Sequence, residues 1–148
     1  MRCLGLDVGD KRIGVALCDP LGILASPLTI IDRQDESAAV EAIVRIIDQK
    51  GVELIIVGLP LTMDGGIGAQ AEKVNTFAHT LRNSTKVPME FIDERLSTFS
   101  AKQLIREADP RKRRGKKPDD AIAAAVILQR YLEEGALKPP VSPPPAAS

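Results

Sequence analysis

The sequence predicts one α/β domain built on a five-stranded mixed sheet, a three-strand meander followed by parallel strands, with helices on both faces. Three observations lead there. First, 148 residues with 44% hydrophobic content suffice for one well-developed core and are too few for two ordinary ones. Second, with no Trp and only 3% aromatic residues, that core must be built from Ile, Leu, Val and Ala, which suits layers of strands and helices in close approach. Third, the apolar patterning gives the order β-β-β-α-β-α-β-α-α, and the later crossovers must place their strands parallel to the first.

Each element has its own signal. Arg2 to Val8 reads as a strand, Gly9-Asp10-Lys11-Arg12 as a turn, and Ile13 to Leu17 as a second strand; after Asp19-Pro20-Leu21-Gly22, an apolar stretch runs to Ile31 as the third. From Asp35 to Gln49, the residues Ala39, Val40, Ile43, Ile46 and Ile47 recur at helical spacing, with Asp35 or Ser37 as the cap and Gly51 as the stop. Val52 to Val57 is nearly continuous apolar sequence, as a central strand covered on both faces requires. A polar loop through Asp64-Gly65-Gly66 to Gly68 follows, and Val74, Phe77, Ala78 and Leu81 mark one face of the next helix. Met89 to Ile92 is a short strand after Pro88, and Ser97 can cap a helix that turns Ala101, Leu104 and Ile105 inward. A last helix from about Pro118 to Glu134 begins with Asp119 and Asp120, which suit its dipole, and stops at Gly135. The domain is expected to span 1–137; the tail 138–148 holds five of the 11 prolines and is expected to be disordered.

Composition excludes some classes of function. Lys+Arg and Asp+Glu number 20 each, so the chain is not a globally basic nucleic-acid binder, and any basic patch must be local. The one dense patch is Arg111-Lys112-Arg113-Arg114-Gly115-Lys116-Lys117, six basic residues in seven. Cys3 and Cys18 lack metal-type spacing and read as reduced core residues. No apolar run approaches membrane-spanning length and none resembles a signal peptide, so no membrane partner is expected and the location is expected to be cytoplasmic.

The chemistry rests on carboxylates. In Leu4-Gly5-Leu6-Asp7-Val8 the two-residue strand period puts Leu4 and Leu6 on one face and Asp7 on the other, so a core strand carries an acid: either a satisfied buried group or a ligand. Glu94 follows the strand Phe91-Ile92-Asp93 at its carboxyl end, the edge where open α/β sheets place their sites. Adjacent strand residues face opposite sides, and of Asp93 and Glu94 the latter is favoured; the alternative is a cluster of surface charges. In the last helix Asp120 shares a stripe with Ala124, Ile127 and Tyr131, whereas Asp119 projects about 100° away. Ala121, Ala123, Ala124 and Ala125 would let that helix approach the strand of Asp7, although simple N-terminal capping would also explain its acids.

Asp7, Glu94 and Asp120 gathered on one edge, with no His or Cys, form the oxygen-donor set that Mg²⁺ or Mn²⁺ prefers, and such sites act on phosphodiesters. They are the candidate catalytic and metal-binding residues. The candidate nucleic-acid contacts are Lys11, Arg12 and Arg95, with Arg111, Lys112, Arg113, Arg114, Lys116 and Lys117 of the basic run, which could equally be a solvated loop. No aromatic residue interleaves that run, which favours backbone contact over base stacking. His79 has no apparent catalytic partner and reads as a half-buried or surface residue.

Four ordered stretches also resemble a known family: Leu6 to Ala16; Val57-Gly58-Leu59-Pro60-Leu61 with Met63-Asp64-Gly65; Asp93 to Thr98; and Asp120 with Ala123-Ala124, Ile127-Leu128 and Tyr131-Leu132. The chain is similar in these to the YqgF-like pre-16S rRNA nucleases, also described as Holliday junction resolvase-like proteins. The resemblance implies a ribonuclease H-like fold, a divalent-metal site, and a role in maturing the 5′ end of small-subunit ribosomal RNA on ribosomal particles. Asp119 departs from the apolar residue usual before the family's catalytic aspartate, and the strand ending at Gly58-Leu59-Pro60 lacks the carboxylate that related resolvases place there.

Three rivals stand beside a pre-16S rRNA nuclease. A resolvase cutting four-way DNA would need a two-fold dimer, so the monomer or homodimer question bears on it. A phosphotransferase of the actin and sugar-kinase type would share Asp7-Val8-Gly9 but needs two such domains. A ribosome-assembly protein would bind RNA through the same basic residues without cutting it.

Overall fold

The computed structural model describes residues 1–60, 66–93 and 120–134. The first strands are β1 (Cys3–Val8), β2 (Arg12–Cys18) and β3 (Ala25–Asp32); then come α1 (Glu36–Lys50), β4 (Leu54–Leu59), α2 (Ala69–Arg82), β5 (Met89–Asp93) and α3 (Asp120–Glu134). The sheet has the order β3-β2-β1-β4-β5. β1, β2 and β3 pair antiparallel in sequence, whereas β4 pairs parallel to β1 and β5 parallel to β4. This is the mixed five-stranded sheet that the patterning predicts.

The strand period divides the core in two. Leu4, Leu6, Val8, Ile13, Val15, Ile55, Val57, Leu59 and Phe91 pack with the buried faces of α1 and α2. On the other face Cys3, Ala16, Cys18, Leu54, Ile56 and Ile92 pack with Ala124, Ala125, Ile127 and Leu128 of α3. β1 and β4 are therefore covered on both sides, and neither could carry alternating polarity without burying charge.

Local chemistry sets the boundaries. Of the two candidate caps for α1, Asp35 is the one used: its side chain accepts from the Ala38 amide at 3.1 Å. Gly51 closes the helix with φ 64°, a left-handed conformation that glycine adopts without a Cβ penalty. β4 begins two residues later than the apolar run suggests, because the Val52 amide is committed to Ile47 O at 3.1 Å and belongs to the helix cap. At the sheet edge, β3 carries Pro27 and a register shift opposite Val15/Ala16, both of which discourage a further strand from pairing. The helix expected after Ser97, the basic run 111–117 and the 137/138 boundary lie outside the described residues. No described helix is long and apolar enough to cross a membrane.

Candidate active site

Asp7 stands near the carboxyl end of β1, half-buried, and pairs across the antiparallel ladder with Gly14 of β2. It has the parity of Cys3 and Gly5, and so belongs to the face that α3 covers. α3 approaches there at unusually short range. A Cβ on Gly14 would collide with the backbone carbonyl of Asp120, and a Cβ on Gly5 would lie 2.7 Å from Leu128 Cβ and 2.9 Å from Ala124 O. Glycine at these two positions removes the side chain that would hold the helix off the sheet. The first turn of α3 therefore rests on the residue directly opposite Asp7, and two carboxylates from opposite ends of the domain share one sheet edge.

The Asp120 side chain, 38% exposed, faces the Arg12 guanidinium, with Nε to Oδ2 at 3.4 Å. Arg12 opens β2, and its carbonyl accepts the Gly9 amide at 2.9 Å, so the turn between β1 and β2 is closed tightly beside Asp7. A Cβ on Gly9 would come within 2.8 Å of that carbonyl, which is why the turn needs glycine there. Lys11 and Asp10 are exposed at its tip, where Asp10 pairs with Lys73 of α2 at 3.5 Å.

Arg33 supports this turn from below. Its side chain is 13% exposed; Nη1 donates to Gly9 O at 2.9 Å, Nη2 to Glu36 Oε1 at 3.3 Å, and the guanidinium lies 5.2 Å from the Phe77 ring centroid. Its own amide donates to Lys11 O at 2.9 Å. The planar fork thus ties the turn to α1 and α2, which a lysine could not do with one point charge. Sequence reasoning missed Arg33, and no spacing marks it. It also missed Gly5 and Gly14, for which a signal existed: glycine inside a strand denotes close approach of another backbone.

At the opposite end of the sheet edge, Asp93 is buried at 6% exposure and pairs in register with Leu59. Leu59 and Phe91 belong to the α1/α2 core, so Asp93 lies on the face away from Asp7. Glu90 and Ile92 have the other parity: Ile92 packs with α3, and Glu90 accepts from Tyr131 Oη at 2.7 Å. That bond fastens the far end of α3 to β5. Glu94, Arg95 and the six basic residues between Arg111 and Lys117 lie outside the described residues. His79 is half-buried on α2, and its Nδ1 makes no hydrogen bond among the described residues.

What this edge can hold follows from its donors. Asp7 and Asp120 offer carboxylate oxygens, a set suited to a hard divalent cation. Among the described residues no group of three or more His, Cys, Asp or Glu is arranged to hold a metal ion. Of the three candidate carboxylates, Asp7 and Asp120 are therefore the two that the described residues include.

Comparison with known proteins agrees with this architecture. Residues 1–134 match a family model described as "RuvX: Holliday junction resolvase". A protein of Moorella thermoacetica named "Putative pre-16S rRNA nuclease" is 47% identical over 133 residues, covering 90% of this chain and 95% of that one. A protein of Desulforamulus reducens with the same name is 46% identical over 136 residues, covering 92% and 99%. Among solved structures, T. thermophilus RuvC in complex with a Holliday junction substrate superposes with a TM-score of 0.56 at 17% identity, covering 92% of this chain and 98% of that one. The fowlpox virus resolvase, with its Holliday junction DNA, gives a TM-score of 0.56 at 15% identity, covering 90% and 97%. These two likenesses bear on the fold, which is the resolvase-type, ribonuclease H-like sheet.

Proposed function

Since this chain belongs to the RuvX family, we propose that it is a metal-dependent nuclease that processes the 5′ end of pre-16S rRNA during ribosome biogenesis. The observation that carries the reading is the placement of the Asp120 backbone on Gly14, the residue paired with Asp7. A helix brought so close to a strand, each with its acid at the same end and with Arg12 beside Asp120, gathers oxygen donors and positive charge on one edge, as a site for a cation and a phosphate backbone requires.

Asp7, Glu94 and Asp120 would hold Mg²⁺ or Mn²⁺. Strand alternation supports Glu94 over its neighbour, because Asp93 belongs to the α1/α2 face while even-numbered Glu90 and Ile92 face α3. When bound, the divalent ion supplies electrostatic stabilisation for the charge that develops on a phosphodiester under attack. The protein's own part is positional. Gly5 and Gly14 set the distance between strand and helix, Arg33 fixes the turn after Asp7, and Lys11 and Arg12 present positive charge beside the carboxylates for an RNA backbone. Arg95 and the basic residues from Arg111 to Lys117, near in sequence to Glu94 and Asp120, would extend that backbone contact.

The family description favours one second reading, cleavage of four-way DNA junctions. The test is to incubate the full chain and Mn²⁺ with an end-labelled 5′ precursor of small-subunit ribosomal RNA and, separately, with a four-way DNA junction. Cleavage of the RNA supports the proposal; cleavage of the junction alone assigns the site to DNA. Metal-supported binding without cleavage of either would leave a ribosome-assembly role and overturn the nuclease reading.

A further inference from the structure

The Arg12–Asp120 pair holds a second consequence, which rests on the proposed metal site. Both backbones are fixed. Arg12 is anchored by the Gly9 amide and by its place in the β2 ladder opposite Asp32, and Asp120 by the contact of its carbonyl with Gly14. The side chains, in contrast, have room to move: that of Arg12 is 67% exposed and that of Asp120 38%. The guanidinium sits 3.4 Å from the carboxylate with most of its side chain in solvent, so leaving the pair costs it little packing.

We propose that Arg12 is a built-in competitor for the Asp120 carboxylate, occupying it in exchange with the divalent cation and, once displaced, turning to a phosphate of the nucleic acid. The physical basis is charge. A guanidinium stays protonated at any working pH and cannot yield the carboxylate by losing its proton, so it must either share the acid with a second cation or move away from it. Displacement leaves an unpaired cation beside the site where a phosphodiester must lie. Cation binding and backbone binding are then linked through one side chain, and linkage requires each to strengthen the other.

The competition is weak, because an exposed ion pair contributes little. Removing it should tighten Mn²⁺ binding by about two- to fivefold. The measurement is Mn²⁺ affinity of the full chain without nucleic acid, by calorimetry or by the paramagnetic signal of free Mn²⁺, for wild type, Arg12→Gln, Asp120→Asn, the double variant and Asp7→Asn. Tighter binding is expected in Arg12→Gln, and no such gain when Asp120 is already Asn, since the competitor then has nothing to occupy. Mn²⁺ should also strengthen RNA binding in wild type more than in Arg12→Gln. Mn²⁺ affinity that is unchanged or weaker in Arg12→Gln overturns the inference and leaves the metal site standing, with Arg12 reduced to a staple for α3 that is visible only in Tm. A wild-type affinity unaffected by Asp7→Asn overturns the metal site and this inference together.

Discussion

At the scale of single residues, burial changes what an ordinary group can do. Cys3 and Cys18 face each other across β1 and β2, both buried and both free thiols, with the Cys3 amide donating to Cys18 Sγ at 3.0 Å. Burial first, and the neighbouring Cys18 second, push the Cys3 thiol up from 9.0 to about 11. Because the folded value is the higher, its contribution to stability is full below about pH 9 and is lost as the pH rises through about 11. Urea unfolding midpoints should therefore fall between pH 9 and 11, and the fall should be shallower in Cys3→Ala; an identical decline in the two proteins would contradict the assignment. These thiols were legible in the sequence as reduced core residues, since neither has metal-type spacing. Arg33 was not, because its partners come from the β1–β2 turn, α1 and α2, and nothing local marks it.

At the scale of elements, the decisive packing is that of α3 on the β1–β2 ladder. Its existence was legible in the Ala-rich face of the helix and in the strand period that sets Asp7 apart from Leu4 and Leu6. Its closeness was not, because the glycines that permit it read as weak strand positions until the helix is laid across them. Gly14→Ala should push the first turn of α3 outward. The expected cost is roughly 1–3 kcal/mol of stability from overpacking, together with weaker Mn²⁺ affinity, because Asp120 moves with its backbone. Denaturation and metal titration of this variant check both; metal binding at wild-type affinity would show that Asp120 is not a ligand. The choice between Asp93 and Glu94 also belongs here, since only the structure's register shows that Asp93 is buried with Leu59 and Phe91.

At the scale of the whole molecule, the meander and the mixed pairing were legible because each crossover helix forces a parallel strand and each short turn an antiparallel one, whereas the order that sets β4 beside β1 and β5 beyond it comes from the structure. Net charge is zero, so attraction to a polyanion must come from local groups, for which Lys11 and Arg12 at the edge and the six basic residues from Arg111 to Lys117 are the candidates. Replacing those six by Gln should weaken RNA binding and flatten its dependence on salt, by a slope of about 0.7 to 0.9 for every phosphate no longer neutralised. An unchanged slope would remove the run from the interface. Whether the sheet edge carrying Asp7 and Asp120 is a metal-dependent nuclease site can be decided by a single comparison. The rate at which wild-type protein and Asp7→Asn cleave the 5′ precursor of small-subunit ribosomal RNA in Mn²⁺ should be measured with RNA binding monitored in parallel. Asp7→Asn should bind the RNA about as well as wild type and fail to cut it, whereas cleavage by the variant at the wild-type rate would show that Asp7 has no part in catalysis and that the site lies elsewhere.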